Sequence, residues 1–191
     1  LVGRRVVGGA LTGAFASMCA LPAQALTEIP GHVGFAEAAA FPSAYLTAHV
    51  GLAQLARLQP GEWVLALGAA GGVGLAAVDL GLAMGARVIA GASSEEKRAA
   101  IAAAHPQAHV IDASRSFKHE VRALSGGGVS VAFDPVGGMG FSEALSSLAF
   151  AGRLLVIGFA SGEIPKLSLN HALIKNVAVL GVRAGEYGRR F

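Results

Sequence analysis

The chain reads Val64-Leu-Ala-Leu-Gly68-Ala69-Ala70-Gly71-Gly72-Val73-Gly74 at the point that decides its fold. The aliphatic beginning of this stretch predicts a buried strand, and the Ala-rich continuation predicts a helix. A dinucleotide site at such a junction needs a tight turn, a residue without Cβ where the backbone meets a pyrophosphate, and another where helix packs on strand. Gly71 and Gly74 suit the last two needs, whereas Ala69 stands in place of the first glycine, beside Gly68.

The predicted helix begins within these glycines. Its first N–H groups and its dipole favour an anion, so the candidate pyrophosphate-binding residues are Gly71, Gly72, Val73 and Gly74. The alternative is a strand-to-helix turn that is merely tightly packed. A strand before, a helix after and a second strand at the usual distance favour the dinucleotide site.

From Gly61 onward, short aliphatic runs alternate with longer segments of helical period. The predicted strands are Val64–Leu67, Arg87–Ala90, His109–Ile111, Val129–Phe133, Leu154–Ile157 and Val177–Val182. The predicted helices are Gly72–Met84, Glu95–Ala104, Phe117–Leu124 and Phe141–Phe150. This alternation predicts an α/β fold, a doubly wound, Rossmann-like parallel sheet. Ahead of it, Phe35–Leu58 is predicted to be helical with a break at Pro42.

The end of the second predicted strand bears on the choice of cofactor. In the dinucleotide pattern an acidic residue about 20 residues beyond the glycines binds the ribose 2′-OH of NAD. Residues 90–94 hold no carboxylate. The hydroxyls of Ser93 and Ser94 with the ammonium of Lys97 suit a 2′-phosphate instead, which favours NADP over NAD. The alternative is that Ser93 caps the next helix, with Glu96 at capping-box spacing, and that Lys97 is solvated.

Two later strands are predicted to end in glycine-bearing loops, at Asp134–Gly138 and Gly158–Gly162. Ligands of doubly wound sheets bind at the carboxyl ends of the strands. Val136 in the first loop, with Phe159 and Ser161 in the second, are therefore candidate cofactor contacts along one edge of a crevice. Either loop could instead be a plain turn.

Composition excludes several classes of protein. The 191 residues are 53% hydrophobic and 14% charged, which excludes intrinsic disorder. The net charge is +3 and the basic residues are scattered, so no nucleic-acid partner is expected. The single Cys19 excludes an intrachain disulfide framework and a Cys-rich zinc site within these residues. Trp63–Val78 is uncharged, but it is interrupted by glycines and falls short of the about 20 residues of a membrane span.

The N-terminus allows two interpretations. Arg4-Arg5, the uncharged run Val6–Thr27 and the triplet Ala23-Gln24-Ala25 imitate a secretory signal. Glycines and Pro22 interrupt the run, however, which favours short strands of a small β-rich unit. Because the first residue is Leu rather than Met, we expect the chain to be a piece of a longer protein.

In order and spacing, several segments resemble the medium-chain dehydrogenase/reductase superfamily, and within it the zinc-independent NADPH:quinone oxidoreductases. They are Leu58–Val64, Gly68–Gly74, Asp134–Gly138, Gly152–Gly158 and Lys175–Gly181. The resemblance implies that residues 1–30 are the end of a GroES-like catalytic domain and that residues 31–191 are a dinucleotide-binding Rossmann domain. The last strands of the first domain would be Gly13–Ala16 and Leu21–Ala23, although Arg4 stands where an acidic residue is usual.

The resemblance also implies roles for individual residues. Thr47 would contact the nicotinamide together with the loop at 159–161. In zinc-dependent relatives a Cys ligand precedes that Thr by four residues, whereas this chain has Ser43, a poor substitute for a thiolate. His49 is interpreted as structural, so no metal is expected. Arg115 could replace the aromatic residue or His that some quinone reductases place over the adenosine phosphate.

The expected activity is hydride transfer from NADPH to a quinone or related electrophilic carbonyl acceptor, without zinc. No catalytic acid, base or nucleophile is assigned. One alternative is a reductase of enoyl thioesters or α,β-unsaturated ketones from the same superfamily, and another is a non-catalytic NADPH-binding protein. The expected location is cytoplasmic, and the expected partners are the small electrophile and a second copy of the chain, paired through the apolar edge strand Val177–Val182.

Overall fold

The computed structural model describes residues 2–10 and 12–190, so Leu1, Leu11 and Phe191 lie outside the described residues. Backbone contacts divide the chain into two compact units, one up to Pro42 and one from Ser43 onward. No helix within the described ranges combines the length and the hydropathy that a membrane crossing requires.

The N-terminal unit contains a small antiparallel ribbon. Strand β1 (Val6–Gly8) pairs with β2 (Leu26–Glu28), and a short 3-10 turn over Ala23–Ala25 leads into β2. The guanidinium of Arg4 pairs with the carboxylate of Glu28. The residue that departs from the family pattern therefore has an acidic partner on the neighbouring strand.

The prediction of strands at Gly13–Ala16 and Leu21–Ala23 is wrong. Neither segment is a strand, and the second partner in the ribbon lies further along the chain, at β2. Gly13 adopts a φ of +84°, outside the strand region, and Pro22 has no N–H to donate to a ladder.

Helix α1 (Phe35–His49) continues through Pro42, so the predicted break there is wrong. Proline lacks only its own N–H, and its fixed φ is compatible with a helix. A π-helical segment, Val50–Leu55, follows α1 directly. A Cβ on Gly51 would come within 3.3 Å of the Phe133 ring, so the absence of a side chain lets this segment lie close to the sheet.

The second unit is built on a six-stranded parallel sheet with the order β5-β4-β3-β6-β7-β8. The strands are β3 (Trp63–Ala66), β4 (Arg87–Ala92), β5 (His109–Asp112), β6 (Val129–Asp134), β7 (Leu148–Val156) and β8 (Ala178–Gly181). The chain starts in the middle at β3, runs outward to β5, returns to β6 and runs outward again to β8. The predicted doubly wound, Rossmann-like sheet is confirmed, and its winding reverses between β3 and β6.

Helices cover both faces of the sheet. They are α2 (Gly72–Ala83), α3 (Glu95–Ala104), α4 (Lys118–Ser125), α5 (Gly138–Ser147), α6 (Leu169–Lys175) and α7 (Ala184–Arg190). Side chains from the π-helical segment, α2 and α3 pack on one face with Val64 and Phe133, and side chains from α4, α5 and α6 pack on the other with Leu65 and Ile89. Both faces of the strands are apolar, as a sheet buried on two sides requires.

Helix α3 has the predicted bounds, Glu95–Ala104, but a different capping residue, and the predicted bounds of α5 shift. The helix predicted at Phe141–Phe150 starts earlier, at Gly138, and ends at Ser147, because Leu148 already pairs with Val129 of β6. Helix α3 is capped by Ser94, whose Oγ accepts the Lys97 N–H at 3.4 Å, and not by Ser93.

Candidate functional site

The turn after β3 is built by close approach of backbone to backbone. Gly68 adopts a φ of +58°, so it supplies the tight turn that Ala69 at the next position does not. A Cβ on Gly74 would lie 2.2 Å from the Gly68 carbonyl oxygen, a distance that no side chain can occupy. Gly74 is therefore the residue that lets α2 pack against the end of β3. Ala69 is fully buried, and its N–H donates to the Gly91 oxygen of β4 at 3.1 Å.

The N-terminus of α2 is open. Gly71 is the extended residue before the helix, and within the described residues no side chain caps it. The first intrahelical donor in the turn is Leu75, whose N–H bonds to Gly71 O at 2.8 Å, which leaves the N–H groups of Gly72, Val73 and Gly74 without helical acceptors.

In each neighbouring helix that begins at the same edge of the sheet, at least one of the first N–H groups has an acceptor from outside the helix. Helix α3 has its Ser94 cap, and α4 receives a carboxylate: Glu143 Oε2 accepts the N–H groups of Phe117 at 2.9 Å and Lys118 at 3.0 Å. For α5, the backbone oxygen of Glu163 accepts the Gly138 N–H at 3.2 Å. The open donors of α2 therefore stand out as the place for an anionic ligand.

A cleft of about 300 Å³ lies at this edge, where the winding of the sheet reverses. It is lined by residues from the carboxyl ends of β3, β4, β5 and β6, from the starts of α4 and α5, and from the loop after β7. They are Leu67, Gly68, Gly91, Ala92, Ser93, Ala113, Ser114, Phe117, Val136, Gly137, Met139, Gly140 and Ser161. This is the crevice in which open α/β sheets bind their ligands.

Of the three residues predicted to hold a 2′-phosphate, only Ser93 is among the residues that line the cleft. Ser93 lines the cleft, whereas the Ser94 hydroxyl is committed to capping α3. Lys97 is exposed in the first turn of α3 and is not among the residues that line the cleft.

An ion-pair cluster that the sequence analysis did not predict lies beside Ser114. Arg98 Nη1 lies 3.2 Å from Asp112 Oδ1, and Arg115 Nε lies 3.4 Å from Asp112 Oδ2. A hydrogen bond from the Ser114 hydroxyl, with further help from these two guanidinium groups, lowers the pKa of Asp112. Arg115 is thus already paired with a carboxylate, and Arg98 brings a second cation to the same place. Spacing along α3 could have indicated Arg98, which lies four residues after the capping Ser94.

The two glycine-bearing loops are joined to each other. The N–H groups of Ala160 and Ser161 donate to Pro135 O at 3.0 Å and to Val136 O at 2.9 Å. A Cβ on Gly137, whose φ is +72°, would lie 2.8 Å from the Glu163 oxygen. The structure therefore brings together the two loops that the sequence predicted to share a crevice edge, with Val136 and Ser161 in the cleft lining.

Asp134 shapes the first of these loops from inside. Its side chain is 2% exposed, and Oδ1 accepts the N–H groups of Val136 at 2.8 Å and Gly137 at 3.0 Å. Burial raises the pKa of this carboxyl, and the two N–H donors partly oppose the shift. Phe159 packs near Gly137, 3.1 Å from the position of its missing Cβ, and stays 40% exposed.

Thr47 is not among the residues that line the cleft. It lies on α1, and its hydroxyl donates to the Ser43 oxygen at 2.8 Å, within the helix. The ring nitrogen Nε2 of His49 lies 3.3 Å from Gln54 Nε2. Among the residues that the structure describes, no group of three or more His, Cys, Asp or Glu side chains is placed to hold a metal ion.

A doubly wound parallel sheet with a glycine turn, an open helix N-terminus and a cleft at the reversal point defines a dinucleotide-binding type of domain. Comparison with known proteins agrees. The family described as "Zinc-binding dehydrogenase" matches residues 72–190. The chain is 40% identical over 187 residues to quinone oxidoreductase-like protein 2 of Mus musculus, covering 97% of this chain and 53% of that protein. It is also 40% identical over 179 residues to the homologue of that protein in Nematostella vectensis, covering 93% and 49%.

Solved structures agree on the fold. The quinone oxidoreductase of Thermus thermophilus, solved alone and with NADPH, superposes with a TM-score of 0.84 at 36% identity, covering 100% of this chain and 62% of that one. Mycobacterial Rv1454c complexed with NADPH gives 0.88 at 33% identity, covering 98% and 58%. The CurK enoyl reductase gives 0.76 at 30% identity, covering 88% and 50%.

The chain belongs to the medium-chain dehydrogenase/reductase superfamily, in its quinone oxidoreductase-like family. It spans about half the length of the curated relatives that it matches, between 49% and 54%.

Proposed function

We propose that the protein to which this chain belongs is an NADPH-dependent oxidoreductase that reduces a quinone or a related electrophilic carbonyl compound. The observation that carries the proposal is the cleft at the carboxyl ends of the strands, whose lining residue Gly68 begins the turn that leads into the open N-terminus of α2. Two solved structures that this chain resembles are complexes with NADPH. When bound, the reduced nicotinamide supplies a hydride.

The residues present fit such a cofactor. The N–H groups of Gly72, Val73 and Gly74 would hold the pyrophosphate, and Gly71 leaves its approach free of a Cβ. In our proposal the hydroxyl of Ser93, with Lys97 nearby, binds the 2′-phosphate. Ser94 makes its contribution indirectly, by fixing the start of α3.

The remaining contacts follow from the joined loops. Val136 and Ser161 lie in the cleft wall, and Phe159 flanks it. We propose that these loops orient the nicotinamide together with Thr47, and that residues 1–30 are the end of a GroES-like catalytic domain. We also propose that no zinc takes part, since Ser43 stands at the position of the Cys ligand of zinc-dependent relatives.

A first experiment tests the cofactor site. A Cβ on Gly72 has no atom within 4 Å, so Gly72→Asp should fold while placing a carboxylate among the open N–H groups. The matched control is Gly185→Asp, in the first turn of α7, where the space is equally open. We expect calorimetry to show tight NADPH binding for the wild type and for Gly185→Asp, and at least about tenfold weaker binding for Gly72→Asp. Unchanged binding by Gly72→Asp would remove the proposed pyrophosphate site.

The same titration decides cofactor choice. With no carboxylate in 90–94 and Ser93 in the cleft, NADPH should bind more tightly than NADH. Equal or tighter binding of NADH would contradict this. Trp63 lies at the opposite, amino end of β3, so heat of binding is a more direct measure than its fluorescence.

A second candidate activity is reduction of the C=C bond of an enoyl thioester or an α,β-unsaturated ketone. It is favoured by the likeness to the CurK enoyl reductase. A panel of quinones and enoyl substrates, assayed on the full-length protein with NADPH, separates the two. Tight NADPH binding with no turnover of any substrate would instead indicate a non-catalytic NADPH-binding protein.

We further propose that this chain alone binds NADPH without reducing quinones, because the other wall of the substrate pocket would belong to the catalytic domain. Substantial turnover by the purified chain would contradict this. A cytoplasmic location and a homodimer that pairs edge strand β8 with its own copy complete the proposal.

A further inference from the structure

The first glycine-bearing loop, Asp134–Gly138, lies between the glycine turn at Gly68 and the second loop, Gly158–Gly162. On one side, a Cβ on Gly68 would lie 3.3 Å from Pro135 Cγ and from Val136 Cγ2, so the loop packs directly against the turn. On the other side, the oxygens of Pro135 and Val136 accept N–H groups of the second loop. The first loop therefore sets the distance between the turn and the second loop.

Backbone hydrogen bonds continue this connection at both ends of the first loop. The Ile157 N–H donates to Asp134 O at 2.9 Å, where the loop begins, and the Gly138 N–H donates to Glu163 O at 3.2 Å, where α5 begins. Because the contacts run along the whole loop, a change in the shape of the first loop displaces the second.

The carboxyl of Asp134 holds the first loop in its shape. One oxygen, Oδ1, accepts the N–H groups of Val136 at 2.8 Å and Gly137 at 3.0 Å. Gly137 has a φ of +72°, so the chain turns sharply between these donors and α5. A buried N–H that loses its acceptor is costly, so removal of this oxygen favours a different conformation of the loop.

This carboxyl is kept at a cost to stability. Burial raises the pKa of Asp134, so its surroundings disfavour the ionised form. A buried ionisable group beside a cleft is a candidate for a functional role. Asp134 is 2% exposed and is not among the residues that line the cleft, so such a role is exerted through the loops.

We propose that Asp134 is a positioning residue for the nicotinamide ring of NADPH, acting through the first loop on Phe159 and Ser161 of the second. This inference rests on the proposed function, in which the second loop orients the ring and the N–H groups of α2 hold the pyrophosphate. The carboxyl of Asp134 fixes how far apart these two parts of the site lie. Asp134 itself contacts neither the cofactor nor the substrate in this arrangement.

The proposal divides the affinity for NADPH into two parts. The pyrophosphate is held at the start of α2, whose open N–H groups receive no hydrogen bond from Asp134. The nicotinamide is held by the loops, which depend on Asp134 for their shape. Loss of the Asp134 oxygen should therefore weaken binding of a ligand that carries the ring and spare a ligand that lacks it.

The experiment compares NADPH with 2′-phospho-ADP-ribose, the same molecule without the nicotinamide, by calorimetry on the purified full chain. We expect the wild type to bind NADPH at least about tenfold more tightly than the truncated ligand. Asp134→Leu replaces the carboxyl by a group of the same branched shape that accepts no hydrogen bond. It should bring the two dissociation constants to within about threefold of each other, by weakening the binding of NADPH.

Two control variants separate positioning from a general structural effect. Asp134→Asn keeps an oxygen acceptor at the same place, so it should keep the wild-type ratio of the two dissociation constants. Glu143→Met removes a carboxylate that also accepts two consecutive N–H groups, those of Phe117 and Lys118, but at the start of α4. It should lower the free energy of unfolding and leave the ratio unchanged.

Gly137→Ala tests the loop without altering the carboxyl. The new Cβ would lie 2.8 Å from the Glu163 oxygen, and a φ of +72° is unfavourable for any side chain, so the two loops must move apart. This variant should lower the ratio as Asp134→Leu does. It decides the question if Asp134→Leu does not fold.

Several outcomes would overturn the proposal while leaving cofactor binding intact. They are an unchanged ratio in Asp134→Leu or Gly137→Ala, a ratio in Asp134→Asn or Glu143→Met that falls as far as in Asp134→Leu, and a wild type that binds both ligands equally. A wild type that binds neither ligand would instead remove the proposed function itself, and this inference with it.

Discussion

The two ends of the parallel sheet use their polar groups in opposite ways. At the carboxyl ends, the first N–H groups of α2 and the glycines around Gly68 are left open beside a cleft. At the amino ends, the guanidinium of Arg153 in β7 donates to the Glu62 carboxylate at 2.8 and 2.9 Å and to the Ala56 carbonyl at 3.0 and 3.1 Å. We call these contacts of Arg153 the Arg153 clamp. Donors that are satisfied internally hold the sheet together, whereas donors left open are available to a ligand.

The largest effect is expected at the open end, from Gly74→Ala. The new Cβ would meet the Gly68 oxygen at 2.2 Å, so α2 must move away from β3. We expect a loss of about 3 kcal/mol or more in the free energy of unfolding and loss of NADPH binding. Denaturant unfolding and calorimetry measure the two effects.

Gly72→Ala is the control for that substitution, two residues earlier in the same turn. Its Cβ would have no atom within 4 Å, and Ala favours a helix over Gly. The variant should be as stable as the wild type or slightly more stable. A similar loss from both substitutions would contradict the assignment of Gly74 to helix packing.

The second largest effect is expected at the closed end, from Arg153→Met. The substitution removes the cationic partner of Glu62, which keeps the Gln59 N–H as a donor, and it removes both guanidinium donors from the Ala56 carbonyl. We expect a loss of about 2–3 kcal/mol, below the range for a fully buried pair because the two side chains stay 19% and 24% exposed. NADPH affinity should not change, since the clamp lies at the far end of the strands.

The matched control removes a surface ion pair. Arg189 pairs with Glu186 three residues away, at 2.7 Å, and is 51% exposed. Arg189→Met should cost well under about 1 kcal/mol. If Arg189→Met lowers the free energy of unfolding as much as Arg153→Met does, the Arg153 clamp stabilises the protein no more than a surface ion pair.

The two ends should also respond to pH with opposite signs. The hydrogen bond from Arg153 lowers the pKa of Glu62 below its ordinary 4.5, so its contribution to stability is full above pH 4.5 and is lost as pH falls through the lower, folded value. Burial raises the pKa of Asp134 above its ordinary 3.8, so its contribution is full below pH 3.8 and is lost as pH rises through the folded value.

Urea unfolding of Glu62→Gln and Asp134→Asn across this range measures the difference. The penalty of Glu62→Gln relative to wild type should shrink as the solution becomes more acidic than pH 4.5. The Asp134→Asn variant should gain relative to wild type as pH rises from 3.8 towards neutrality, because Asn keeps the acceptor without the buried charge. If the stability of both variants relative to wild type changed in the same direction with pH, the predicted difference between the two ends of the sheet would be wrong.

The smallest effect concerns backbone strain. At the open end the left-handed residues are glycines, such as Gly68 and Gly137, but β7 contains Ala151 at a φ of +59°. Ala151→Gly should raise the free energy of unfolding by up to about 1 kcal/mol, since a Cβ is unfavourable there. Ala103→Gly, at an exposed position of α3, should lower it by about 0.5–1 kcal/mol. Unfolding curves of the two variants should therefore move in opposite directions.

Sequence alone predicted the features that depend on neighbouring residues. The glycine turn, the alternation of strands and helices and the edge strand are local patterns, and the structure has them. Short elements without a clear period were missed, including α6, whose seven residues show no strong pattern. The helix break predicted at Pro42 was wrong because a single missing N–H does not stop a helix that is otherwise continuous.

Within the candidate site, the missed residues are those whose partners are set by tertiary structure. Arg98 meets Asp112 only because α3 lies beside β5, and Glu143 reaches the start of α4 from another helix. Conversely, Ser94 was predicted as a ligand group, although local geometry uses its hydroxyl as a cap. A pattern indicates which groups are available, but the fold decides which of them remain free.

The Arg153 clamp also has a kinetic consequence. Arg153 is separated by 97 residues from Ala56 and by 91 from Glu62, so its contacts close very long loops within the sheet unit. Contacts of such high sequence separation form late, after the entropy of closing those loops has been offset by other packing. We therefore expect the clamp to be absent from the folding transition state, with a low φ-value, so that it slows unfolding without speeding folding. Arg153 thus governs how long the assembled sheet persists rather than how quickly it forms.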